Sequence, residues 1–132
     1  MAADTPALTT PSRRSFESMT WDEAVVYALT LSDTELSTSY GKPCVKVKSN
    51  GRAFLYWSHE HDTSFGVAID LDSVEMFKAT EPETYWQTPH YEGWPAVLIR
   101  YACKDDERVK DVIGRSRDWT AAQPKARPRR RK

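Results

Sequence analysis

Two cysteines in 132 residues are too few for a disulfide framework. Cys44 and Cys103 stand far apart in apolar, strand-like surroundings, which fits a reducing cytoplasm. Glycine is also scarce. Five glycines leave little scope for a phosphate cradle, and none of the patterns G-x-x-x-x-G-K-[ST], G-x-G-x-x-G or G-x-S-x-G occurs, so a catalytic reading has no anchor. No window approaches the roughly 18 consecutive apolar residues of a membrane span. Residues 1–20 lack the apolar centre of a secretion signal, so the expectation is a soluble cytoplasmic protein with no membrane contact.

Net charge is absent too, since 19 Lys and Arg balance 19 Asp and Glu, but the balance hides a division. Lys125, Arg127, Arg129, Arg130, Arg131 and Lys132 place +6 on residues 121–132 without an acid, which leaves 13 against 19, or −6, on residues 1–120. Pro124 and Pro128 interrupt this tail and it offers no apolar face, so residues 123–132 are expected to be disordered when free. Residues 1–15, rich in Ala, Thr, Pro and Ser without periodicity, are expected to be flexible. The folded unit is placed at 16–122, where five Trp, six Tyr and four Phe supply the bulk of a small core.

Thr20 and Glu23 have capping-box spacing, and Trp21, Ala24, Val25, Ala28 and Leu29 then recur at helical intervals. Residues 32–39 are polar and leave open another helical turn or a loop, and Tyr40-Gly41-Lys42-Pro43 forms a turn. From Val45 the period changes to two, with Val45 and Val47 facing one way and Lys46 and Lys48 the other, up to Asn50-Gly51, a strong hairpin signal. The returning strand, 52–57, is apolar on both parities and is expected to be central. Phe65, Val67 and Ile69 alternate with Ser64, Gly66 and Ala68 to complete a three-stranded meander. Asp72 and Glu75 repeat the capping-box spacing before Val74 and Phe77. Residues 81–95 lack a clean period, Val97, Ile99 and Tyr101 mark a further strand, and Asp105 opens a last helix reaching Ser116. The order α-β-β-β-α-β(β)-α implies an α+β two-layer sandwich: an antiparallel sheet with helices on one face.

His59-Glu60-His61-Asp62 is the obvious metal candidate. Two imidazoles at i and i+2 in a loop need ligands from other elements, however, and neither cysteine belongs to a C-x-x-C pair, so solvated loop charges account for it better. The expectation is no metal, no cofactor and no enzyme activity. Residues 85–94 concentrate rings in a proline-rich segment, where Trp86 and Trp94 can stack on a planar ligand or an unpaired base and Gln87 and His90 can supply polar partners. For Tyr85 and Trp94 the plainer reading is closure of a small core; for Trp86 and His90 core and ligand are evenly weighed. The six tail cations would give a log-log salt slope of up to about −5 on duplex DNA. Lys46, Lys48 and Arg52 on the first hairpin could extend that phosphate-contacting surface, or serve as protective charges on a sheet edge. The −6 body makes a tail folded back upon it a competing arrangement.

The helix from Trp21, the turn Tyr40-Gly41-Lys42-Pro43, the hairpin with Gly51-Arg52-Ala53-Phe54, the run Thr84-Tyr85-Trp86-Gln87-Thr88-Pro89-His90-Tyr91 with Gly93-Trp94, and the final helix through Ser116 resemble the MmcQ/YjbR-like family over about residues 21–122. The resemblance implies a small cytoplasmic bacterial domain with a two-layer α/β fold similar to secretion chaperones, of a kind often labelled DNA-binding, and it carries no catalytic residues. Ser116-Arg117 stands where many relatives have Ser-Tyr, and Tyr85-Trp86 where they have Tyr-Phe. The basic tail lies outside the shared region. Two readings follow. One is a non-enzymatic DNA-binding domain with salt-dependent phosphate contacts from the tail. The other is a protein- or small-ligand-binding module that uses the Trp86/His90 loop and the sheet face.

Overall fold

Thr20 caps the first helix, α1 (Trp21–Leu29), by the reciprocal bonding its spacing predicts. Its hydroxyl accepts the Glu23 backbone N–H at 3.5 Å, while the Glu23 carboxylate accepts the Thr20 N–H at 3.2 Å. In the computed structural model, which describes residues 19–101 and 105–125, the chain continues through β1 (Thr34–Ser39), β2 (Lys42–Val47), β3 (Ala53–Tyr56), β4 (Ser64–Ala68), α2 (Leu71–Thr80), β5 (Tyr85–Trp86), a 3-10 turn (Pro89–Tyr91), β6 (Ala96–Arg100) and α3 (Asp106–Ala121). Cys103, the N-terminal segment 1–15 and the tail residues Arg127, Arg129, Arg130, Arg131 and Lys132 lie outside the described residues.

The six strands form one antiparallel sheet in the order β1-β2-β3-β4-β6-β5. One face supplies Val45, Val47, Leu55, Phe65, Val67, Val97 and Ile99 to a single buried cluster. Ala24 and Ala28 of α1, Val74 and Phe77 of α2, and Val109, Val112 and Ile113 of α3 close that cluster from above. Each of the larger side chains contributes about 1.5–3 kcal/mol by leaving water, and this burial fixes which face carries the helices. The fold is therefore α+β, a two-layer sandwich. Ser116 ties the layers together: its hydroxyl lies between the Phe54 carbonyl, 3.1 Å away, and the Ala68 carbonyl, joining α3 to β3 and β4.

Several elements depart from the sequence reading or add to it. Residues 32–39, left between helical turn and loop, contain β1, which forms because the two-residue turn Tyr40-Gly41 folds it onto β2. Both turn residues have positive φ, 54° and 80°, as a type I′ hairpin turn requires. The apolar residues of both parities in β3 come from a bulge: Val45 pairs with Leu55 but Lys46 pairs with Ala53, and Phe54 and Leu55 both enter the core. The cap of α2 is Asp70, not Asp72, since the Asp70 carboxylate accepts the Ser73 N–H at 3.0 Å and the Ser73 hydroxyl at 2.8 Å. Finally, α3 runs past Ser116 to Ala121, and the aperiodic stretch 81–95 holds the two-residue strand β5 and the 3-10 turn.

Candidate binding groove on the helix-free sheet face

Strand alternation sends every second residue to the face opposite the helices, and the register lines one from each strand into a single row: Ser37, Cys44, Tyr56, Gly66, Leu98 and Trp86. On β4 this face carries only the small residues Ser64, Gly66 and Ala68. Gly66 has no room for a side chain, because a Cβ there would lie 2.2 Å from Cε1 of Tyr56. The Tyr56 ring thus occupies the space above the Gly66 Cα. Burial pushes the Tyr56 phenol far above the ordinary tyrosine range, with Tyr91 adding to the effect. Tyr91 is raised by burial alone. The Cys44 thiol, free and fully buried, is raised by burial and partly offset by the nearby Lys46.

The proline-rich loop forms a wall beside Cys44 and Tyr56 of this row. Gln87 holds it in shape: its amide donates to the carbonyls of Tyr91 at 3.0 Å, Trp94 at 3.2 Å and Ala96 at 2.7 Å, and its oxygen accepts from Lys78 at 2.8 Å. Gln87 therefore braces the loop rather than facing a ligand. Trp94, 57% exposed, projects from the loop with His90 stacked behind it at 6.4 Å. Trp86 lies elsewhere, its indole N–H donating to Ser64 at 3.1 Å and its ring beneath the Arg100 guanidinium at 4.6 Å. The residues expected to act as one ligand cluster are thus divided: Trp94 lines a cavity, His90 supports it, Gln87 braces it and Trp86 packs on the sheet.

Between that loop and the β1–β2 turn lie two adjoining cavities of about 600 and 700 Å³. They share Ser39, Tyr40, Ala53, Ala68 and Pro95, so they form one groove. The smaller is aromatic, walled by Tyr56, Trp57, Tyr91 and Trp94 with Lys42 at its edge. The larger is basic, with Lys46 and Arg52 beside the C-terminal end of α3. None of the residues lining either cavity is Asp or Glu, while Lys42, Lys46 and Arg52 are cationic. Exposed Glu35 stands opposite Lys46 in the register, outside the lining. Lys48 does not join the groove; it sits in the turn with its backbone N–H on the Asp33 carbonyl at 2.8 Å.

The chain's C-terminal segment is anchored at the basic end. Asn50, buried, donates to the carbonyls of Thr120 at 2.7 Å and Gln123 at 3.2 Å and accepts the Arg52 N–H at 3.1 Å. Arg52 in turn donates from Nε to the Pro124 carbonyl at 2.6 Å. Lys125, the last described residue, therefore leaves the fold beside Arg52.

The metal candidate does not assemble. His59 borders the aromatic cavity, whereas His61 stacks on Trp57 at 4.6 Å with its Nδ1 3.4 Å from Asp62. Among the described residues, no three His, Cys, Asp or Glu side chains converge. Sequence reasoning missed Tyr40, Tyr56, Trp57, Tyr91 and Lys42 as groove residues. A usable signal was present in Ser64, Gly66 and Ala68, small residues on the non-core parity that leave room above a sheet.

No family model matches the chain. Over 61 residues it is 34% identical to uncharacterized proteins of Mycobacterium tuberculosis and Mycobacterium bovis, a stretch covering 46% of this chain and 46% of each relative. The chain thus spans about half the length of the curated relatives it matches. The fold is similar to that in the crystal structure of Deinococcus radiodurans protein DR2400, a DUF419 domain, with a TM-score of 0.59 over 75% of each chain. Sequence identity to that domain is 13%, so the likeness is one of fold.

Proposed function

We propose that this chain is a non-enzymatic nucleic-acid-binding domain of MmcQ/YjbR-like type, acting in the cytoplasm. Its basic tail supplies phosphate contacts and its helix-free groove receives part of the ligand. The observation that carries the reading is a charge segregation. A body with a net charge of −6 keeps every carboxylate out of the lining of its main groove, places three cations there, and anchors the root of a +6 tail at the same end. Phosphate contacts of this kind act through counterion release and are independent of base sequence. The acidic remainder of the body would repel a polyanion elsewhere and so orient it toward the groove. No helix among the described residues is long and apolar enough to cross a membrane.

The test is a titration of fluorescent DNA with the full chain and with a variant whose six tail cations are replaced by Gln, at two salt concentrations. The reading expects affinity and salt dependence to fall together in the variant. Equal binding by both proteins, or none by either, would contradict it.

A further inference from the structure

We infer that the aromatic half of the groove is a subsite for an unpaired base, so that the preferred ligand is single-stranded nucleic acid. The base stacks on the rings of Tyr40 and Trp94, and Lys42, Lys46 and Arg52 contact the flanking phosphates. The inference rests on the nucleic-acid reading above and adds the strand form that is recognised.

Three observations carry it. Large exposed rings stand on both rims of the groove, Tyr40 at 82% and Trp94 at 57% exposure, over a floor that includes Ala53 and Ala68. Aromatic faces presented beside cations suit an unpaired base with its phosphates. A duplex offers them no base face, because its bases are stacked on one another. Second, the cavity of about 600 Å³ is of ligand-binding size and lies against the cationic one, so a base and its adjacent backbone have contiguous places.

Third, Tyr40 occupies a strained position. It has φ of 54° in a two-residue turn, where Asn or Gly would sit without strain and a bulky ring is disfavoured. Its ring stands at the rim of both cavities, where an occupant of the groove would meet it. Trp94 is fixed as firmly, since Gln87 bonds the backbone on both sides of it.

The experiment uses the full chain and three probes: a twelve-nucleotide oligothymidylate, the same strand paired with its complement, and thymidine monophosphate. Tyr40→Asn and Trp94→Ala are compared with Trp86→Phe, which lies outside the groove. The inference expects single strand to bind more tightly than duplex, each rim variant to weaken single-strand binding by about five-fold or more, and duplex binding and the Trp86 variant to change less than two-fold. Tyr40→Asn should also raise the melting temperature, so its loss of affinity could not come from unfolding. If the rim variants bind single strand as the natural chain does while the tail-neutralised variant binds more weakly, the base subsite is wrong and the nucleic-acid reading stands. Binding of the mononucleotide as tightly as the oligomer would overturn the strand assignment. Absence of binding to every probe would overturn both readings.

Discussion

Replacing Gly66 by Ala sets backbone propensity against packing beneath the Tyr56 ring on the helix-free face of the sheet. Glycine in a strand is unfavourable, and adding a methyl group would stabilise an unobstructed strand by about 0.5–1 kcal/mol. Here the new Cβ would lie 2.2, 2.6 and 2.8 Å from three carbons of the Tyr56 ring. Carbon atoms pack at about 3.5–4.0 Å, so the ring must retreat by roughly 1.3 Å or more. Overpacking of this kind costs about 1–3 kcal/mol. The packing term wins, and Gly66→Ala is expected to destabilise the protein by about 1–2 kcal/mol, a fall in melting temperature of roughly 5–10 °C for a domain of this size. Urea unfolding followed by tryptophan fluorescence measures it. A cycle with Tyr56→Ala isolates the cause: with the ring gone, Gly66→Ala should become neutral or stabilising. A stabilising effect in the natural background, or additivity in the cycle, would refute the placement of Tyr56 over Gly66.

Other perturbations follow from single contacts. Ser116→Ala removes the hydroxyl shared by the Phe54 and Ala68 carbonyls and should cost about 1–2 kcal/mol in urea unfolding. Asn50→Ala, which removes three hydrogen bonds at a buried position, should cost about 2 kcal/mol. Limited proteolysis of the same variant should show new cleavage near Gln123. The Asp33 carboxylate lies below its ordinary pKa chiefly because Ser49 hydrogen-bonds it. Its contribution is therefore complete above the unfolded-state value of about 3.9 and fades as pH falls through the lower folded value. In Asp33→Ala the acid limb of the stability profile should flatten. The buried Cys44 thiol, with its pKa raised, should react with a thiol reagent far more slowly in the native protein than in urea, and rapid native modification would contradict its burial.

The parts of the fold legible in the sequence are those set by local pattern. The α1 capping box, the alternation through Val45, Phe65 and Val97, and the core stripe of α3 each follow from side-chain period and cap chemistry, and together they imply the two-layer sandwich. Elsewhere tertiary pairing overrides local preference. The residues 34–39 have little apolar character and become a strand only because Tyr40-Gly41 reverses the chain onto β2. The offset between Asp72 and the true cap Asp70 is one of two nearby carboxylates competing for the same role.

The groove was less legible because its residues come from distant segments. Tyr40, Tyr56 and Trp94 are brought together only by strand register and by a loop whose shape depends on the Gln87 amide. Trp86 and Trp94 look alike in sequence. One packs beneath Arg100 because it lies on β5, while the other stands in solvent because it follows the 3-10 turn. The tail was legible from charge alone, but its attachment beside Arg52 was not.

The central claim, that groove and tail together bind single-stranded nucleic acid, is tested most directly by the salt dependence of oligothymidylate binding. Three groove cations and six tail cations predict a log-log slope of up to about −6 for the full chain, at roughly −0.7 per neutralised phosphate on a single strand. With the six tail cations replaced by Gln, the account predicts weaker binding that persists with a slope of about −2. A tail-neutralised protein that binds nothing, or one whose slope matches that of the natural chain, would contradict it.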